Sequence, residues 1–243
     1  VVMYLLEAAS NPQLLAAGSS EHDAPEFRHP PVPVSMDSRL PDLLNRYAQY
    51  ETPPKFVALG EIIRANVALG RRTLVWTNFV KNISSLKRML ARYRPAVVHG
   101  GIPSGDANTS GATREQEIAR FRDPTSGCMV LLANPAAMSE GISLHRECLD
   151  AVYLERTFNA GQYLQSLDRI HRLGLRRDET PRVTFLETVG TIDEVVNRRI
   201  REKAGRLSRI LDDPAVAQMA LPDEDDYGAP FDGVDDLAAL LAH

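Results

Sequence analysis

The chain has 243 residues, with 28 lysines and arginines against 32 acids, a net charge of −4 and a hydrophobic fraction of 44%, which supplies one sizeable core plus appendages. No apolar run approaches the length of a membrane span, and the opening stretch 1–15 carries Glu7 and no basic residue, so neither a membrane-crossing helix nor a secretory signal is expected. The two cysteines, Cys128 and Cys148, make neither a disulfide framework nor a metal motif and fit a reducing, cytoplasmic setting.

Taken in order, residues 1–17 read as a helix ending at Gly18, and the Pro-, Ser- and His-rich stretch 19–41 as a linker or surface loop. Helices are expected at 42–50 and 56–69, the second ending at Gly70. A strand at 73–77, a helix at 80–93, a strand at 96–99 and a helix at 113–121 follow. Strands at 128–133 and 151–155, a helix at 163–173, a strand at 182–187 and a helix at 192–211 complete the series. Such alternation means an α/β fold: a parallel sheet flanked by helices on both faces, with the loops that follow the strands gathered along one ligand-binding edge. The expected units are a lead-in of helix and linker at 1–54, the α/β lobe at 55–211, and an acidic tail at 212–243 that offers itself to a protein partner.

The charge is unevenly placed. Arginines gather at 169–177 and 198–209, and acids at 223–226 and 235–236. A local basic face binds phosphate even in an acidic chain, although the commoner reading of the second arginine group is a solvated helix face. The sharpest signal is Gln165-Ser166-Leu167-Asp168-Arg169-Ile170-His171-Arg172-Leu173-Gly174. Two arginines three apart share a helix face, and their planar, permanent charge suits a phosphoryl group whose charge spreads over three oxygens. The plainer alternative pairs them with Asp168 or Glu155 as surface arginines. His99 and His171 have no partner at metal-ligand spacing.

That segment resembles motif VI of the Swi/Snf-type ATPases of helicase superfamily two, with Gln165, Asp168, Arg169, His171, Arg172 and Gly174 matching and Leu175 standing in place of a Gln. Other segments resemble the same family in order. Ala9 to Leu15 is similar to its Asn-His-Pro-x-Leu stretch, Lys55 to a helix-opening Lys, and 73–80 to motif IV. Val97-Val98-His99-Gly100, with Arg114 and Phe121, matches a His-Gly … Arg … Phe pattern, across a gap long enough to look like a loop insertion. Leu131 to Leu144 is similar to motif V, with Met138 and Ser139 in place of two glycines, and 150–159 resembles a strand and turn in which Phe158 replaces Trp. Gly190 to Glu194 looks like the Gly-Thr-x-Glu-Glu start of the last helix.

The resemblance implies a RecA-like second lobe with Arg169 and Arg172 as catalytic arginine fingers. Gly141, Gln165, Arg169 and Arg172 would stand at ATP, and Asn78, Phe79, Gly100, Gly101, Asn134 and Ser139 on double-stranded DNA. A core role for Phe79 weighs equally. No Gly-Lys-Ser or Gly-Lys-Thr loop occurs, and the acids at 223–226 follow a proline rather than a strand. ATP and magnesium are therefore expected to be held mainly by an N-terminal lobe outside this sequence, which leaves this fragment inactive alone. A strand-separating helicase lobe and a non-catalytic RecA-like nucleic-acid-binding module are the rival readings. Four lysines among many arginines and alanines suggest a bacterial, nucleoid-associated protein.

Overall fold

The computed structural model describes residues 1–35, 37–105, 111–138, 142–167, 169–170 and 180–211. Its centre is a five-stranded sheet of β1 (Thr73–Trp76), β2 (Ala96–Val98), β3 (Val130–Ala133), β4 (Asp150–Tyr153) and β5 (Arg182–Phe185), in the order β2-β3-β1-β4-β5. Every pair is parallel, with Thr73 opposite Val130 on one side and Asp150 on the other. Strands buried on both faces read as near-continuous apolar runs, and all four residues of β1, β3 and β4 are buried. The side-chain period of two divides them between two cores. Leu74, Trp76, Leu131, Ala151 and Tyr153 face one side, with Ile118, Phe121 and Ile170 packed over them. Val75, Val130, Leu132 and Val152 face the other, under Phe56, Leu59, Ile63, Ile83 and Leu86.

The helices agree with the expected positions, with physical reasons for each boundary. Helices α1 (Val2–Ser10) and α2 (Gln13–Ala17) replace the single expected helix, because Pro12 has no N–H to continue it. Helices α3 (Leu40–Asn45) and α4 (Tyr47–Tyr50) are short. Helix α5 (Pro54–Ala68) starts with proline in its first turn, and the chain leaves it through Gly70 at φ 68°. Helix α6 (Val80–Met89) is followed by α7 (Arg114–Arg122), whose Thr113 and Gln116 form a reciprocal capping box. Helix α8 (Ala160–Leu167) is followed by a turn at 169–170, positions 168 and 171–173 of the expected helix lying outside the described residues, and α9 (Ile192–Leu211) closes the series. Among the described residues, no helix is long and apolar enough to cross a membrane.

The stretch 19–41 does not behave as a free linker. Phe27 is 2% exposed and meets Phe79 edge to face at 6.0 Å. The Asp23 carboxylate accepts from the backbone N–H groups of Val80 (2.7 Å) and Ser20 (2.6 Å), so a residue 57 positions upstream satisfies an open donor at the start of α6. A third core forms here from Leu6, Leu14, Phe27, Phe79, Phe158, Ile192, Val195, Val196 and Ile200. It joins the lead-in and α9 to the loops that follow β1 and β4. The expected 1–54 lead-in is thus packed onto the lobe.

Candidate functional site

At the edge where the strands end, the chain after β4 brings in Glu155, which is 3% exposed. Its carboxylate accepts from the Thr77 hydroxyl (2.5 Å), the Asn78 backbone N–H (2.6 Å) and the Ser10 hydroxyl (3.2 Å). Burial pushes this carboxyl above the ordinary range, against the pull of Thr77, the Lys55 ammonium and the Asn78 N–H. Lys55, at the start of α5, donates to the Leu154 carbonyl (2.9 Å) and pairs with Asp193 of α9 at 2.6 Å. Asn82 of α6 donates to Ser10 (2.8 Å) and accepts from Asn11 (3.0 Å). One buried polar network therefore ties α1, α5, α6 and α9 to the ends of β1 and β4. Such a network is rigid when every member has a partner.

Two arginines extend this framework. Arg114 of α7 donates to the carbonyls of Ile102 (2.7 Å), Ala137 (3.3 Å) and Gly100 (3.4 Å), which binds the loop after β2 to the turn after β3. Arg156, 7% exposed, lies 3.9 Å over the Phe185 ring and 5.3 Å over that of Tyr163, and donates to Asn197 of α9 at 2.8 Å. It links α8 to α9 through a guanidinium that works at once as aromatic packing and as donor. Nearby, the Tyr153 and Ser166 hydroxyls meet at 2.5 Å, with Ser166 also bonded to the Tyr163 carbonyl.

Arg169 follows the end of α8 in a tight turn, not on the helix. Its backbone N–H reaches Ser166 O at 3.3 Å and that of Ile170 reaches Leu167 O at 3.1 Å, three residues back in each case. This unwinding places Ile170 in the core at 0% exposure and frees the Arg169 carbonyl to accept from Leu144 N–H at 2.7 Å. The Arg169 guanidinium, 7% exposed as a residue, donates to the Ile142 carbonyl at 3.2 Å. Both ends of Arg169 therefore grip the segment that follows the turn after β3. Glu155, fully engaged elsewhere, is not its partner.

A sequence profile described as "Helicase conserved C-terminal domain" matches residues 54–174. The chain is similar to the SWI/SNF-related matrix-associated actin-dependent regulator of chromatin subfamily A-like protein 1 of Xenopus tropicalis, 32% identical over 98 residues, 40% of this chain and 10% of that protein. It is also similar to SNF2 domain-containing protein CLASSY 4 of Arabidopsis thaliana, 27% identical over 136 residues, 53% of this chain and 11% of that protein. The matched segment is a helicase C-terminal domain of the kind found in Swi/Snf-type superfamily-two proteins. The chain spans about a tenth of the length of these relatives. Among solved structures, the C-terminal part of the Fun30 ATPase domain aligns at 18% identity with a TM-score of 0.49, covering 65% of this chain and 51% of that one.

Within this helicase C-terminal lobe, the residues singled out from sequence fall into three groups. Gly141, Ser139 and Arg172 lie outside the described residues. Gln165 is exposed in the last turn of α8, and Arg169 is buried beyond it, so they do not line one continuous helix face. The expected DNA contacts mostly face inward. Phe79, 1% exposed, packs in the core, in line with the second of its two expected readings. Asn78 is 4% exposed, and Asn134 at 3% donates to the Asn78 carbonyl at 2.8 Å and accepts from Ala136 N–H at 2.9 Å. Their side chains hold the loops after β1 and β3 together. Gly100 and Gly101 lie beneath His22: a Cβ at Gly100 would stand 2.5 Å from its carbonyl oxygen, and one at Gly101 2.5 Å from its ring. The glycines thus admit the lead-in at close approach. Burial, together with the charges of His22 and Arg114, holds the adjacent His99 below its ordinary range.

Glu155, Arg156 and Ser10 had no functional weight in the sequence reading. The available signal was a Glu-Arg pair directly after an apolar strand, where a buried acid must find partners.

Proposed function

We propose that this chain is the second motor lobe of an ATP-dependent double-stranded DNA translocase, whose ATP site is completed by an N-terminal lobe. The observation that carries this reading is Arg169, buried at the strand-end edge with its guanidinium held against Ile142 inside the matched helicase segment. A guanidinium fixed in a low-dielectric setting suits the oxygens of a phosphoryl group. In this reading Arg169 orients the turn, and Arg172, outside the described residues, is the expected contact to the γ-phosphate. ATP supplies the phosphoryl group, and magnesium belongs to the other lobe. DNA contact is assigned to phosphates, reached by backbone N–H groups along this edge, and is therefore largely sequence-independent.

The test is ATP hydrolysis by the full-length protein with and without duplex DNA. Duplex should stimulate turnover, and Arg172→Ala should lower kcat roughly a thousandfold with little change in duplex binding. Turnover indifferent to duplex, or unaffected in Arg172→Ala, would sink the assignment. Displacement of an annealed strand would transfer the lobe to a strand-separating helicase. One observation favours a non-catalytic module instead: Met138, where the motif has a glycine, is 5% exposed and packed in the core. Duplex binding without any turnover would support that reading.

A further inference from the structure

The folded body and the tail carry opposite charge. All 28 lysines and arginines, but only 23 of the 32 acids, lie within residues 1–211. That body stands at +5, and residues 212–243, with nine acids and neither lysine nor arginine, at −9. On the body, a cleft of about 430 Å³ opens at the edge of the sheet where β1, β4 and β5 begin, opposite the edge bearing Asn78, Asn134 and Glu155. Four guanidiniums line it, from Arg71, Arg72, Arg146 and Arg182, against two carboxylates, Glu147 and Asp150.

Two of these arginines are fixed. Arg72 donates to the carbonyls of Arg122 (3.2 Å) and Asp123 (2.9 Å) and lies 5.8 Å over the Phe121 ring. Arg182 donates to Asp150 at 2.6 Å and cancels that carboxylate. Arg71 and Arg146 are exposed, and their guanidiniums have no partner among the described residues. Among the described residues, the cleft is a concave surface with positive charge in excess and two donors uncommitted.

We propose that this cleft is the docking site of the chain's own acidic tail. Helix α9 ends at Leu211, and 32 further residues extend to roughly 100 Å when stretched, so the cleft lies within reach. A tethered ligand of this kind acts at about millimolar effective concentration. Individually weak surface ion pairs then suffice, because several form together. Docked there, nine negative charges are kept at the far edge of the sheet from the duplex and do not repel its phosphates. That last consequence rests on the proposed DNA role, whereas the docking does not.

The experiment places a nitroxide on the tail through Ala229→Cys. Cys128 and Cys148 are 0% and 2% exposed, so the label is confined to position 229. At low salt, the backbone amide signals of Arg71, Arg72, Arg146 and Arg182 should broaden selectively. Broadening should vanish at about 0.5 M salt, where charge acts only over a few ångströms. It should also vanish in Arg71→Glu/Arg146→Glu with the remaining spectrum unchanged. Absence of broadening at low salt, or broadening confined to α9, overturns the proposal. So does a short DNA duplex that perturbs these amides while the tail does not, which would make the cleft a nucleic-acid site. None of these outcomes depends on ATP turnover.

Discussion

Lys55 and Asp193 are each 4% exposed and 2.6 Å apart, and each has one further bond, Lys55 to the Leu154 carbonyl and Asp193 from the Thr188 N–H. Breaking a buried pair from one side leaves a charge with neither partner nor water. Lys55→Met should therefore cost about 3–5 kcal/mol in urea unfolding. Lys55→Met combined with Asp193→Leu should recover part of this, because no isolated charge remains. A single-variant loss below about 1 kcal/mol would mean that water reaches the pair. The same reasoning separates Glu155 from Arg169. Both are buried acid or base at the strand-end edge, but Glu155 closes a network inside the lobe, whereas Arg169 holds a loop that carries the motif residues.

Helix α7 is the element whose sequence states its own boundaries most completely. Thr113 caps Gln116 N–H, Gln116 returns the bond, acids occupy the first turn and arginines the last. Thr113→Ala should lower stability by about 1 kcal/mol and Thr113→Ser by little, measured as a shift in the urea midpoint at unchanged slope. The strands were equally legible, because β3 is an unbroken apolar run and β1 and β4 are apolar after an opening Thr73 and Asp150. The turn at 169–170 was not legible, because the Arg169 carbonyl there accepts from Leu144, 25 positions back. The role of the lead-in was hidden for the same reason. Ser10 meets Glu155 and Asp23 meets Val80 across distances in sequence that local patterns do not register. The inward-facing Asn78, Phe79 and Asn134 show the other side of this limit: a resemblance located the loops but not which way their side chains turn.

For the molecule as a whole, stability should fall as pH rises through neutrality, and Glu7 is one cause. It is fully buried, with a carboxylate oxygen 3.1 Å from Nε2 of His29, and burial pushes its carboxyl from 4.5 up to about 7 against the opposing pull of His29. The folded chain keeps a proton that the unfolded chain has released, so this contribution is complete below about 4.5 and is lost as pH climbs through 7. Glu7→Gln should thus melt near the parent at pH 5 and above it at pH 8, by the equivalent of about 1–3 kcal/mol. Equal differences at both pH values would remove Glu7 from the account. The strand order has a consequence for synthesis. Of the five strands of this sheet, β1 is the first to emerge from the ribosome and lies in the middle, yet Thr73 waits for Val130. At roughly 5–20 residues per second, that wait lasts about 3–11 s. Until it ends, Leu74, Val75 and Trp76 have no sheet to enter. The strand best sheltered in the finished lobe is the one most in need of a chaperone while the lobe is being made.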